Sequence, residues 1–208
     1  MIIYMIILMI ILAIIIIFFI YQALGYNNSN PSHITLIKSS FVVSPEWEDK
    51  IIYNNRNVET EYINGLSLLF NLYLYNSPEN DNWNSTPNEE KPIFDCGHAP
   101  LISYHPIENY LSFDFMIQNN QYTKSYQKVI VNDIPVQQSL KILFVIQGRD
   151  FELFINGNLI KKTKLDGFPI YQKSDILLGK KNHNIIGKLG SMYLWNHALE
   201  QDEILELI

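Results

Sequence analysis

The sequence predicts an all-β protein: an antiparallel sandwich of two sheets with a short C-terminal helix, preceded by one transmembrane helix. Three observations predict it. Short segments in which apolar and polar residues alternate follow one another, separated by Gly, Pro, Asn and Asp. Phe151–Leu159 reads as a strand, a tight turn and a returning strand. Met1 to about Leu24 is predominantly apolar and carries no charge.

The chain has 208 residues and a net charge of −6, from 21 acidic and 15 basic side chains. Once the apolar N-terminus is set aside, the remainder fits a single domain long enough to bury a core without staples. The acidic balance argues against nucleic acid, because no stripe of Lys and Arg is present to neutralise phosphates. The densest basic run, Lys161, Lys162 and Lys164, falls on a hairpin arm and reads as a solvated strand face. One cysteine, Cys96, rules out an internal disulfide, so the fold does not depend on an oxidising compartment.

Residues 1–24 form the transmembrane anchor. At about 1.5 Å per residue, about twenty-one of them span about 30 Å, the thickness of the hydrocarbon core. Tyr21, Gln22 and Tyr26 would lie at the interface. A cleaved signal peptide is the alternative, since Ala23-Leu24-Gly25 resembles a cleavage site. The missing basic n-region and the length of the apolar run favour an anchor. Residues 25–33 are a polar linker that holds the domain, residues 34–208, close to the bilayer. The first basic residue is Lys38, so charge leaves the orientation open; translocation of the domain is the expectation.

Ile34–Ile37 and Phe41–Val43 are short strand candidates, followed by Trp47 and Ile51–Tyr53. Leu66–Tyr75 is a long strand, with Leu68, Phe70, Leu72 and Leu74 on one face and Asn71, Tyr73 and Tyr75 on the other. Ser77–Pro92 is a long polar loop, and a loop of that length in a compact domain points to function. Ile93–Cys96, Leu101–Tyr104, Tyr110–Ile117 and Lys128–Val131 are further strands. Ile142–Ile146 is apolar on both faces and belongs in the middle of a sheet. Asn156-Gly157 supplies the two positive-φ positions of a type I′ turn. Ile176–Leu178 follows, then Leu189–Trp195, where the alternation puts Leu189, Ser191, Tyr193 and Trp195 on one face and Met192 and Leu194 on the other. Leu199–Leu207 changes period and fits a short helix with one apolar edge, led by Glu200 and Asp202.

Several runs carry a family pattern: Asp133-Ile134-Pro135-Val136-Gln137, Phe154-Ile155-Asn156-Gly157-Asn158-Leu159-Ile160 and Asp175-Ile176-Leu177-Leu178-Gly179. Ile186-Gly187-Lys188-Leu189, Met192-Tyr193-Leu194-Trp195 and Ala198-Leu199 through Glu203-Ile204 continue it. From about Leu66 to the C-terminus the chain resembles the laminin-G-like, concanavalin A-like lectin/glucanase jelly roll. It is most similar to single-pass, N-terminally anchored versions encoded by large DNA viruses of protists. It departs from the pattern where Ser139-Leu140 stand in place of the usual Trp, and where Glu200 precedes the closing helix in place of Ser or Thr. The resemblance implies a surface that binds protein or sugar. Some members bind Ca²⁺, but no such ligand set maps onto this chain, so no cofactor is expected.

Asp81, Asn82, Trp83 and Asn84, in the long loop, are the binding residues the sequence offers. Trp83 could stack on a sugar, with Asp and Asn holding hydroxyls or Ca²⁺; the competing reading folds Trp83 back onto the sandwich. Asp95, Cys96, His98 and His105 lie close in sequence. Cys96 and His98 would share a face if their strand continued, but a lone cysteine reads more simply as a small buried hydrophobe. No strand carries the alternating carboxylates of a glucanase. The expectation is therefore a non-enzymatic, membrane-anchored sandwich in contact with the lipid bilayer and with capsid or other membrane proteins, or glycan. The resemblance places it in the virion membrane of a large DNA virus. A lectin-like surface protein is the alternative, and a glycoside hydrolase comes third.

Overall fold

The computed structural model describes residues 33–43, 50–53, 65–75, 88–119, 123–171, 174–180 and 185–207. In chain order the strands are β1 (Ile34–Ile37), β2 (Phe41–Val43), β3 (Lys50–Tyr53), β4 (Leu66–Leu74), β5 (Lys91–Asp95), β6 (Leu101–His105) and β7 (Tyr110–Gln118). They continue as β8 (Lys124–Asn132), β9 (Ser139–Gln147), β10 (Asp150–Ile155), β11 (Asn158–Lys164), β12 (Phe168–Pro169), β13 (Ile176–Leu178) and β14 (Gly187–Trp195), followed by helix α1 (Gln201–Leu207).

The strands pair antiparallel into two sheets. The first runs β1-β14-β4-β9-β10-β11, with β2 also on β14; the second runs β12-β7-β6-β5-β13-β3, with β8 also on β7. The period-two pattern decides what lies between them. Leu68, Phe70, Leu72 and Leu74 of β4 face Leu111, Phe113 and Phe115 of β7 across one buried cluster. An aromatic node joins the layers: the Phe113 ring sits 5.3 Å from Phe151 and 5.8 Å from Phe144, and Phe115 sits 5.6 Å from Phe151.

β9 is central, between β4 and β10, as its doubly apolar pattern predicts. Its second face is buried because α1 lies over it: Leu143 and Val145 pack with Leu69, Trp195, Leu199 and Ile204. The short helix is held at its start. Ser67 Oγ, fully buried, donates to His197 O and accepts from Leu199 N, each at 3.0 Å. Glu203 reaches back to the Glu200 N–H at 2.8 Å, which makes half of a capping box although Glu200 is a poor cap.

The Asn156-Gly157 turn has φ of 50° and 83°, the two positive values of a type I′ hairpin. Asn156 also ties the turn sideways to β9. Its N–H donates to Lys141 O and its Oδ1 accepts from Lys141 N, both at 2.8 Å.

The faces of the last strand differ from the alternation read in the sequence. Leu189 pairs with Leu72 and Met192 with Phe70, so three steps on β14 match two on β4. That bulge turns Leu189 to the same face as Met192 and Leu194, all in the inter-sheet core, while Tyr193 and Trp195 face α1. Gly190 sits in the bulge, where a Cβ would come within 2.8 Å of the Asn71 Cβ. Other strand boundaries also move, and one short strand is added. β5 starts at Lys91, and Pro92 is tolerated beside a register shift because β13 pairs only with Phe94 and Asp95. β8 starts at Lys124, where an exposed polar stretch hides the alternation. β12, only two residues long, has no signature of its own.

The anchor 1–24, linker residues 25–32, Trp47 and most of the Ser77–Pro92 loop lie outside the described residues. Among the described residues, no helix is long and apolar enough to cross a membrane.

Candidate functional site

Asp81, Asn82, Trp83 and Asn84 lie outside the described residues. The end of their loop does not, and it is bound to the outer face of the second sheet. On β7, Leu111, Phe113 and Phe115 point into the core, so Tyr110, Ser112 and Asp114 point outward. Lys128 of β8 stands directly opposite Asp114, an opposite-charge cross-strand pair. Glu90 comes down from the loop onto this row. Lys128 Nζ donates to both Glu90 carboxylate oxygens at 2.8 Å and lies 3.5 Å from Asp114 Oδ2. Tyr110 OH donates to Glu90 Oε1 at 2.8 Å. Beside them the His105 ring stacks on Tyr110 at 5.0 Å, and its Nε2 lies 3.3 Å from Asn88 O.

The charges respond to this setting. Burial alone would raise the Glu90 carboxyl, but hydrogen bonds from Lys128 and Tyr110 and the Lys128 charge outweigh it, so the pKa is lowered. Burial raises Asp114, and the Lys128 charge does not fully offset it. The Lys128 ammonium loses hydration, yet its bond to Glu90 and the Asp114 charge leave it raised. Burial and the bond to Glu90 push Tyr110 up to about 12. The shifts of the two carboxylates diverge, as those of an acid and base pair would. One ammonium lies within ion-pair distance of both carboxylates and ties them into a single charged row.

Cys96 and the nearby histidines do not assemble. β5 ends at Asp95, and Gly97 and His98 both turn with positive φ, so no strand carries Cys96 and His98 on one face. Cys96 is buried in the core, as the bland reading expects. His98 turns to the surface, its N–H on Asp95 Oδ1 at 2.9 Å and its ring edge-on to the exposed Tyr126 at 5.6 Å. His105 is spent on Asn88 and on the Glu108 N–H.

A concave site lies on the other sheet. Between α1 and the β10–β11 hairpin, the outer face of the first sheet opens into a groove of about 1210 Å³. Phe151, Leu153 and Ile155 point into the core, so Glu152 and Phe154 form part of the floor, with Lys162 of β11 paired to Glu152. Gln201 and Leu205 line the helix side. Phe168 and Tyr171 close the end of the sandwich. The alternation of β10 makes two of these residues legible in the sequence. Their juxtaposition with α1 and Phe168 is not, because it needs the sheet order.

No family model matches the chain, and no curated protein matches it. Solved structures do. The chain is similar to the receptor binding domain of a botulinum neurotoxin C/D mosaic serotype, with a TM-score of 0.60 at 13% identity over 82% of this chain and 43% of that one. It is similar to the binding domain of Paraclostridial Mosquitocidal Protein 1, with a TM-score of 0.57 at 16% identity over 86% of this chain and 48% of that one. It also matches the botulinum neurotoxin serotype G binding domain, with a TM-score of 0.54 at 17% identity over 87% and 41%. The chain thus spans less than half the length of each of these three. At such identities the likeness establishes the fold alone: an antiparallel jelly-roll β-sandwich.

Proposed function

We propose that this chain is a non-enzymatic binding module, a jelly-roll sandwich of the laminin-G-like, concanavalin A-like kind held at a membrane by residues 1–24 and making contacts with protein or glycan. The observation that carries this is the open groove of about 1210 Å³, whose lining mixes aromatic and hydrogen-bonding side chains. The similar solved structures are described as receptor-binding or binding domains, which supports a contact role. The uncharged leading run supports the anchor. The viral resemblance supports a place in the virion membrane, beside capsid or other membrane proteins.

Two experiments test it. Alkaline extraction of membranes that contain the full chain should leave it in the pellet, and deletion of residues 2–24 should release it. Immunoblots of purified particles should detect the chain; its absence from particles would remove the virion role and leave the binding role standing.

A second reading is a lectin that binds through the Ser77–Pro92 loop. It is favoured by the bonds from Glu90 to Lys128 and Tyr110, which hold that loop's end on a sheet face. Trp83→Ala should then abolish capture on a glycan array, and binding indifferent to that change would reject the loop as the site.

A further inference from the structure

We infer that the groove between α1 and the β10–β11 hairpin takes a neutral oligosaccharide, with one sugar ring stacked on Phe168. This rests on the binding-module reading above and names the ligand class for its groove. Phe168 is 55% exposed, yet its backbone is held. It pairs with Gln118, Pro169 pairs with Ile117, and Ile170 N donates to Met116 O at 2.8 Å. A large apolar ring is therefore presented to solvent by a sheet edge, already in place for a ligand to meet.

The lining fits a sugar better than it fits a peptide. A pyranose has a C–H face that packs on an aromatic ring and a rim of hydroxyls that pairs with amides and carboxylates. The groove offers both, with Phe154 and Phe168 beside Gln147, Glu152 and Gln201. An amphipathic helix laid there would cover the Glu152–Lys162 ion pair with apolar side chains, at a desolvation cost. An added strand needs an open backbone edge, whereas the floor here is the face of a hairpin.

Charge and size narrow the class. Lys162 is compensated by Glu152, and Glu200 adds a further carboxylate to the lining, so the groove disfavours anionic sugars. The volume exceeds the roughly 300–1,000 Å³ of ordinary small-ligand sites, which suits several linked rings more than one.

The test is an array of neutral, sialylated and sulfated oligosaccharides probed with the full chain in detergent. Wild type, Phe168→Ala, Gln201→Ala and Trp83→Ala are compared, each checked by thermal unfolding. The expected result is capture of neutral glycans, reduced at least tenfold by Phe168→Ala and measurably by Gln201→Ala, with unfolding temperatures unchanged because both side chains are exposed. Glycan capture that Trp83→Ala abolishes and Phe168→Ala leaves intact would overturn the groove assignment while the lectin reading survives. Capture of anionic glycans alone would overturn the ligand class. No capture at all would overturn the inference and leave a protein-contact role for the module.

Discussion

Lys128 favours the charged form of two carboxylates, yet their net shifts have opposite sign, because burial dominates at Asp114. Glu90 is stabilised as an anion, so its contribution is complete above its unfolded value, about 4.3, and is lost as pH falls through its lowered folded value. Asp114 is raised by burial, so its ionisation costs stability once pH rises past its unfolded value of about 3.9. Lys128→Met is expected to destabilise the fold by about 1 kcal/mol at pH 7, a figure kept small because the ammonium is partly solvated. Asp114→Asn should be neutral or stabilising at pH 7, and its advantage should vanish by about pH 3, where Asp114 is protonated in both the folded and the unfolded chain. Urea denaturation at the two pH values measures both. A clear loss from Asp114→Asn at pH 7 would show that the contact with Lys128 outweighs burial. Tyr110 should titrate near 12, read from phenolate absorbance while the fold persists.

Turns and caps set the behaviour of single elements. Gly157 holds φ of 83° in the hairpin, where a side chain is strained, so Gly157→Ala is expected to cost about 1–2 kcal/mol. Asn156→Ala should cost about as much, because it removes the bond to Lys141 N that ties the hairpin to β9. Chemical denaturation checks each; a change below about 0.5 kcal/mol would mean that the neighbouring strands hold the turn without help. Helix α1 has seven residues and is too short to persist alone. It depends on the contacts of Ile204 with Leu143, Val145 and Trp195. Ile204→Asp should lift the helix, expose Trp195 and shift its fluorescence to the red, while the inter-sheet core remains folded.

Across the whole molecule, one continuous core joins both sheets, and Phe151 stands at its middle between Phe113, Phe115 and Phe144. Phe151→Ala is expected to cost about 3–5 kcal/mol. Phe168→Ala, in an exposed position, should cost under about 0.5 kcal/mol. The pair separates a residue that holds the sandwich together from one that faces outward, and a single thermal-unfolding series measures both. Equal losses would mean that the Phe168 ring is part of the core. The molecule thus has two distinct outer faces. One is a polar row bridged by Lys128, and the other is a groove under a short helix.

The sequence by itself determined the class of fold, most of the strands, the positions of the Asn156-Gly157 turn and the closing helix, and the central place of β9. These are local properties. A period of two, a turn dipeptide and a doubly apolar run are complete within about ten residues. Only the tertiary structure decided which side chains meet. Glu90 and Lys128 are 38 residues apart, and Ser67 and His197 are 130 apart. Each meeting follows from the order of strands in a sheet, which no local pattern encodes. The bulge at Gly190 shows the same limit within one strand: alternation assumes equal steps on both partners, and one extra residue turned Leu189 from the face expected of it to the core.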